Sequence, residues 1–191
     1  NFSQTQREKV FAAKIVEFNE VWWFYPSASA TEIDRYVIYN YIDQTWSIGV
    51  LERTAWSDSG VFAFPIAVDK TNKKAFNHEL GSNDDGSAMT AFIETGFFNG
   101  DENGDNMIFI DKIIPDTTFI EGNTIKFQLK SKRYPNDSET TKGPFSLTSS
   151  STKLNLRSRG RAFQARYSSD TTDTAWRLGT WRANGQASGS R

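Results

Sequence analysis

An all-β chain, with partial β-propeller blades followed by an antiparallel β-sandwich, is what three observations in this sequence predict. The first is the run Glu20-Val-Trp-Trp-Phe-Tyr-Pro26 with Asp34-Arg-Tyr-Val-Ile-Tyr-Asn-Tyr-Ile-Asp-Gln-Thr-Trp46. Its odd and even positions alike carry large apolar residues, so both faces of such strands need a cover. The second is strict alternation further along. Ile125, Phe127 and Leu129 stand against Lys126, Gln128 and Lys130, and Phe163, Ala165 and Tyr167 against Gln164 and Arg166. One face is core and one is solvent, as in a sandwich. The third is aromatic content, six Trp and fifteen Phe, which suits sheets packed through flat side chains.

Taken in order, residues 1–8 are polar and carry no periodic signal. Val10–Phe18 has Ala and Lys suited to a helix, but the aromatic strand that follows favours the first arm of a hairpin. Val21–Tyr25 is a strand and Pro26–Thr31 a loop. Tyr36–Tyr41 and Trp46–Leu51 form a hairpin about Ile42-Asp43-Gln44-Thr45. Phe62–Asp69 and Lys74–Leu80 flank a turn at Lys70–Lys73. Residues 1–80 thus read as blade-like hairpins, part of a larger propeller. Residues 81–86 (Gly-Ser-Asn-Asp-Asp-Gly) have no apolar side chain and read as a linker. Residues 87–183 read as the sandwich, with further strands at Phe92–Phe98, Met107–Ile114, Phe145–Leu147 and Trp176–Trp181. The small, polar segment 184–191 reads as a flexible tail.

Composition narrows the functional classes. The 191 residues carry a net charge of −1, so the chain as a whole has no reason to seek nucleic acid or anionic membrane. There is no cysteine, which excludes disulfides and thiolate metal sites. No apolar run approaches the ~20 residues a membrane helix needs, so no membrane insertion by this segment is expected. A first residue Asn1 rather than Met leads us to expect that the chain is part of something longer.

Catalytic signatures are missing. His78 is the only histidine, and a histidine-based general base or metal site normally needs partners. No nucleophile elbow, phosphate loop or dinucleotide fingerprint occurs. Asp101, Asn103 and Asp105 are spaced like the opening of a calcium loop, but Asn106 and Lys112 stand where the glycine and the bidentate glutamate belong. An acidic hairpin turn fits better. Glu94, Asp101 and Asp111 could be offered as glycosidase carboxylates, with nothing to place any two at the required separation. The chain is therefore read as no enzyme, with no catalytic, cofactor-binding or metal residue assigned.

Charge is segregated along the chain. From Glu79 to Glu121, Lys112 is the only base; from Lys126 to Arg166, Asp137 and Glu139 are the only acids. Both sets could decorate solvated strand faces and pair within the sandwich. Alternatively, Asp101, Glu102 and Asp105 and the series Arg157, Arg159 and Arg161 could meet neighbouring subunits or line a channel.

Several blocks agree in order: Glu20–Ser27, Asp34–Tyr41 with Trp46, Arg53-Thr-Ala-Trp56, Met107–Ile110 with Pro115-Asp116, Arg157–Arg161, and Trp176-Arg-Leu-Gly179. In this order the chain resembles the C-terminal part of the tail nozzle, tail tubular or DNA-stabilisation proteins of short-tailed bacteriophages. The resemblance runs from about Val10 to Arg182. It implies a non-enzymatic virion tail component, assembled in the host cytoplasm as a homo-oligomeric ring, typically a hexamer. Its partners would be the tail adaptor, other tail proteins and passing double-stranded DNA, held and conducted during ejection without sequence recognition. Family members are longer, with N-terminal blades ahead of this segment. Trp22, Trp23, Phe24, Tyr25, Tyr36, Tyr39, Trp46 and Trp56 would then be packing and assembly residues. The alternative is a carbohydrate-binding sandwich of an adhesin or receptor-binding protein, with Trp56, Trp176 and Trp181 as its exposed aromatics.

Overall fold

The computed structural model describes residues 2–102 and 104–189, and its regular secondary structure is nearly all strand. It divides into two compact units, Asn1–Leu80 and Gly81–Arg191.

In the first unit a short 3-10 stretch, Gln4–Lys9, leads into four strands: β1 (Phe11–Ile15), β2 (Glu20–Tyr25), β3 (Arg35–Asn40) and β4 (Thr45–Val50). They pair antiparallel in chain order as a meander. Of the ambiguous segment Val10–Phe18, Phe11–Ile15 is extended and pairs with β2, and Val16–Phe18 begin the turn between them. The Asn40 side chain accepts the amides of Ile42 and Asp43 at 3.0 and 2.9 Å, which closes the β3–β4 turn. A second meander follows, of β5 (Ala55–Ser57), β6 (Ile66–Asp69) and β7 (Lys74–Asn77). The expected strand Phe62–Asp69 is shorter than its apolar content suggested. Pro65 offers no amide to a ladder, and Val61 ahead of it is 94% exposed. Buried Asp69 shapes the β6–β7 turn. Burial opposes its ionisation, but donation from the Thr71 amide and from Asn72 outweighs this and holds its carboxyl below the usual range. One sheet of four strands and one of three do not by themselves make a propeller.

The second unit begins with a hairpin, β8 (Asn83–Asp84) and β9 (Ser87–Ala88), turning through Asp85 and Gly86 at φ 47° and 82°. Segment 81–86, expected as a linker, is therefore built into the unit. Buried Ser82 donates to Glu121 at 2.6 Å, and Asn83 exchanges hydrogen bonds with Asp173. Two residues at positive φ are what a tight hairpin requires, and Asn, Asp and Gly supply them as readily as they supply linkers.

The remaining strands are β10 (Ala91–Glu94), β11 (Phe98–Asn99), β12 (Ile108–Ile114), β13 (Thr117–Glu121), β14 (Thr124–Lys132), β15 (Thr140–Thr148), β16 (Leu154–Gly160), β17 (Ala162–Ser169), β18 (Ala175–Leu178) and β19 (Arg182–Ala187). One sheet runs β10-β17-β14-β15, with β11 also on β17; another runs β16-β12-β19; β13 pairs β18. The alternation read from sequence is the alternation observed. Ile125, Phe127 and Leu129 of β14 and Phe163, Ala165 and Tyr167 of β17 share one core with Ile110 and Ile113 of β12 and Leu156 of β16. Two sheets facing one core make a sandwich. Within it Gly143 adopts φ 98°, and a Cβ there would stand 2.7 Å from the Phe127 carbonyl oxygen. It lies where the β14–β15 register shifts, between Phe127 and Leu129.

The expected flexible tail is corrected for most of its length. Arg182–Ala187 pairs with β12 throughout, and the Met107 amide donates to the Gly189 carbonyl at 2.8 Å. Small polar residues gave no apolar period to read, yet backbone pairing needs none. Residues 190 and 191 lie outside the described residues, as does Asn1.

Glu32 ties three parts of the first unit. It accepts from Lys9 of the 3-10 stretch at 2.8 Å and from Lys70 of the β6–β7 turn. Lys70 and then Lys9 hold its carboxyl below the ordinary 4.5. A carboxylate whose folded pKa is depressed stabilises above its unfolded pKa, and that contribution is lost as pH falls through the folded value. Glu32→Gln is therefore expected to lower the urea midpoint at neutral pH. Its difference from wild type should shrink as pH drops below 4.5, and in high salt, which screens exposed pairs.

Candidate functional site

Register decides which aromatic faces which way. Directly paired residues lie on one side of a sheet, and neighbours along a strand lie on opposite sides. Trp22 pairs with Ile38 and Phe24 with Tyr36, while Val21 pairs with Tyr39 and Trp23 with Val37. The eight predicted packing residues accordingly do not act as one set. Trp22, Phe24 and Tyr36 stand on one face of the four-stranded sheet; Trp23, Tyr25, Tyr39 and Trp46 stand on the other.

The first face is covered within the unit. Trp56 of β5 stacks against Trp22 and Phe24, each at 5.6 Å between centroids, and Phe11 stacks on Phe24 at 4.9 Å. Phe24 is fully buried, with Ile15 and Ile38 beside it. Tyr36 lies across Gly49, its register partner, where any Cβ would come within 2.2 Å of its ring. Burial and, secondarily, Glu20 push the Tyr36 phenol up. The cover is itself braced. The His78 ring lies 4.5 Å from that of Trp56 and accepts from Arg53 Nε at 2.9 Å, and the Arg53 guanidinium lies over Phe76. His78 is thus half-buried in a packed cluster, with Arg53 buried beside it, rather than a plain surface histidine.

The second face presents three rows across β2, β3 and β4: Val21, Tyr39 and Trp46; Trp23, Val37 and Ile48; Tyr25, Arg35 and Val50. Trp46 lies 5.9 Å from Trp23 and 4.6 Å from Tyr39. Yet Trp46 is 64%, Ile48 79% and Val50 65% exposed. Trp46, Ile48 and Val50 of β4 are thus left largely open, whereas Tyr25 at the other end meets the Phe2 ring at 6.2 Å. Ile48 and Val50 were not singled out from sequence; their alternation with Ser47 and Gly49 was the signal available.

The charged candidates sit on the second unit. Asp101 accepts the amide and side-chain nitrogen of Asn106 at 3.1 and 2.9 Å, and the side-chain bond chiefly holds its carboxyl low. That is a turn carboxylate. Asn103, the middle member of the calcium spacing, lies outside the described residues, and Glu102 and Asp105 are exposed. Among the described residues no three acids or histidines converge as metal ligands. Arg157 and Arg159 project from β16, and Arg161 lies over Tyr134 at 5.1 Å. The Gly100 amide donates to the Arg161 carbonyl at 2.7 Å, which brings the acidic loop beside the arginine turn. Elsewhere the two charge sets pair locally, as Glu94 with Arg166 at 3.2 Å.

Glu94 and Asp111 lie on different sheets; Glu94 pairs with Arg166, and Asp111 accepts from Asn184 at 2.8 Å. The carbohydrate candidates are each engaged within their own unit. Trp56 belongs to the packed cluster of the first unit. Trp176 donates to Ser169 at 3.0 Å, and Trp181 packs against Phe98, Phe127 and Tyr167. No family model matches the chain, and no curated protein matches it in sequence.

The two faces should respond differently to truncation. Phe24→Ala is expected to cost about 3–5 kcal/mol, as a large buried side chain leaving a cavity. Trp46→Ala should cost roughly 1 kcal/mol or less, because it loses only ring contacts on an exposed surface. Denaturant unfolding of both variants checks the contrast.

Proposed function

We propose that the chain is a non-enzymatic structural subunit of an oligomeric assembly, of the tail nozzle kind that its sequence resembles. In that reading copies join in a ring, typically a hexamer, below the tail adaptor of a short-tailed phage. The ring holds double-stranded DNA and conducts it at ejection. The observation that supports this is the uncovered aromatic face of β2, β3 and β4. An apolar surface of stacked Trp and Tyr, extended by Ile48 and Val50, is unfavourable in water and favours contact with another surface. The four-stranded meander beneath it is the sheet form a propeller blade uses, so a further blade or a neighbouring subunit is the cover its shape suits. Catalysis has little to build on, since the proposed carboxylates are engaged locally and His78 packs on Trp56.

Sedimentation and native mass measurement test the reading. Wild type is expected to self-associate, and Trp46→Lys with Ile48→Lys to abolish association while leaving the circular dichroism of the fold intact. A folded wild type that stays monomeric at high concentration would overturn the proposal.

A further inference from the structure

The core of the second unit does not run the full length of its strands. On β14 the inward series Ile125, Phe127, Leu129 ends in Ser131. On β15 Leu147 and Phe145 are followed, past the shift in register, by Lys142 and Thr140, which stand opposite Leu129 and Ser131. On β16 Leu156 gives way to Ser158, whose hydroxyl donates to that of Ser131 at 3.1 Å. Three strands thus change from apolar to hydroxyl or cation at matching positions. A cavity of about 460 Å³ lies at these positions.

Four cations line this cavity, Arg133, Lys142, Arg157 and Arg159, against a single acid, Asp137. Arg159 is steadied by donating to the Ser188 carbonyl. Among the described residues Arg133, Lys142 and Arg157 carry no salt bridge. The nearby Glu139 is engaged by Lys132 and Lys130, at 3.3 and 3.5 Å. Arg133, Lys142 and Arg157, with Asp137 the acid among the lining residues, leave the cleft net positive, a charge that a bound anion would neutralise. Guanidinium groups offer paired donors that match a tetrahedral oxyanion, and the hydroxyls of Ser138 and Thr140 add donors without charge.

We infer that this cleft binds a phosphate group, taken either as free phosphate or as a backbone phosphate of duplex DNA. The tail reading bears only on the second source; the site itself stands without it. Inorganic phosphate, titrated by calorimetry at ionic strength held constant with chloride, is expected to bind saturably at one site. Lys142→Ala and Arg157→Ala, both exposed and so tolerated by the fold, should together weaken it by about tenfold or more, since each removes a charge-assisted contact. Lys153→Ala, on the loop before β16, is the control and should change nothing.

A short DNA duplex supplies the second arm. Displacement of phosphate by the duplex, with duplex binding weakened in the double variant, identifies the backbone as the source. Saturable phosphate binding that the duplex leaves untouched supports the site with free phosphate as its ligand. Absence of saturable binding, or binding indifferent to the double variant, overturns the inference. Self-association through Trp46 and Ile48 is read separately, so failure of either proposal is distinguishable from failure of the other.

Discussion

Pleating is the constraint from which the first unit follows. Successive side chains of a strand must point to opposite sides, so Trp22 and Trp23 cannot share a core, nor can Phe24 and Tyr25. A sheet with aromatics at both parities needs two covers. The unit builds one of them, and much of its remaining sequence is devoted to it. Gly49 leaves room for Tyr36, Trp56 fills the space over Trp22 and Phe24, and His78, Arg53 and Phe76 support Trp56 from behind. The short β5-β6-β7 sheet buries little of its own, with Val68 exposed and Ala67 and Asp69 buried, which suits a sheet whose task is to cap another.

The second unit solves the same problem differently. Its long strands alternate, so each sheet has one face to bury and one to wet, and the two faces meet in a closed core around Phe127, Phe163 and Tyr167. Tyr167 is buried in that core: among the described residues its hydroxyl has no partner, and burial pushes the phenol up. Solvation is handled by exposed charges that pair across neighbouring strands, as Lys126 with Asp170 and Glu94 with Arg166. Exposed pairs of this kind contribute little to stability. Their arrangement matters more where they stop, at the cleft beside Arg157, than where they pair.

The fold was legible wherever a period or a turn carried it. Thr124–Lys132 could be read as a half-buried strand because its alternation is unbroken, and the Lys70–Lys73 turn because it is a polar break between two apolar runs. The paired strands β5 and β19 were harder. Ala55–Ser57 is too short to show a period, and Arg182–Ala187 has no apolar residue beyond alanine, so only their partners reveal them. For the candidate site, aromatic density on both parities announced that two faces needed covering. It could not say which face the chain would cover for itself. That depends on Trp56, thirty or more residues away from the strand it packs on, and on a register no local pattern specifies. The basic cleft was hidden for a related reason. Arg133, Lys142 and Arg157 come from three segments that converge only once β14, β15 and β16 are placed.

Edges sharpen the functional argument. An open strand displays unpaired amides and carbonyls, and proteins that stay apart protect such strands with charge, proline or a bulge. β15 has Lys142, Pro144 and a register shift, and the far edge of the first meander, β1, carries Lys14. β4 has none of these. Its residues Thr45 to Val50 include no charge and no proline, it pairs without interruption to β3, and it closes the meander on a free side. The edge at β4 also carries Trp46, Ile48 and Val50, the most exposed part of the aromatic face. Hydrogen-bonding groups and apolar area are thus left open at the same place. A strand or sheet laid against β4 would satisfy both together, which is why contact with another polypeptide accounts for this surface better than a small ligand would.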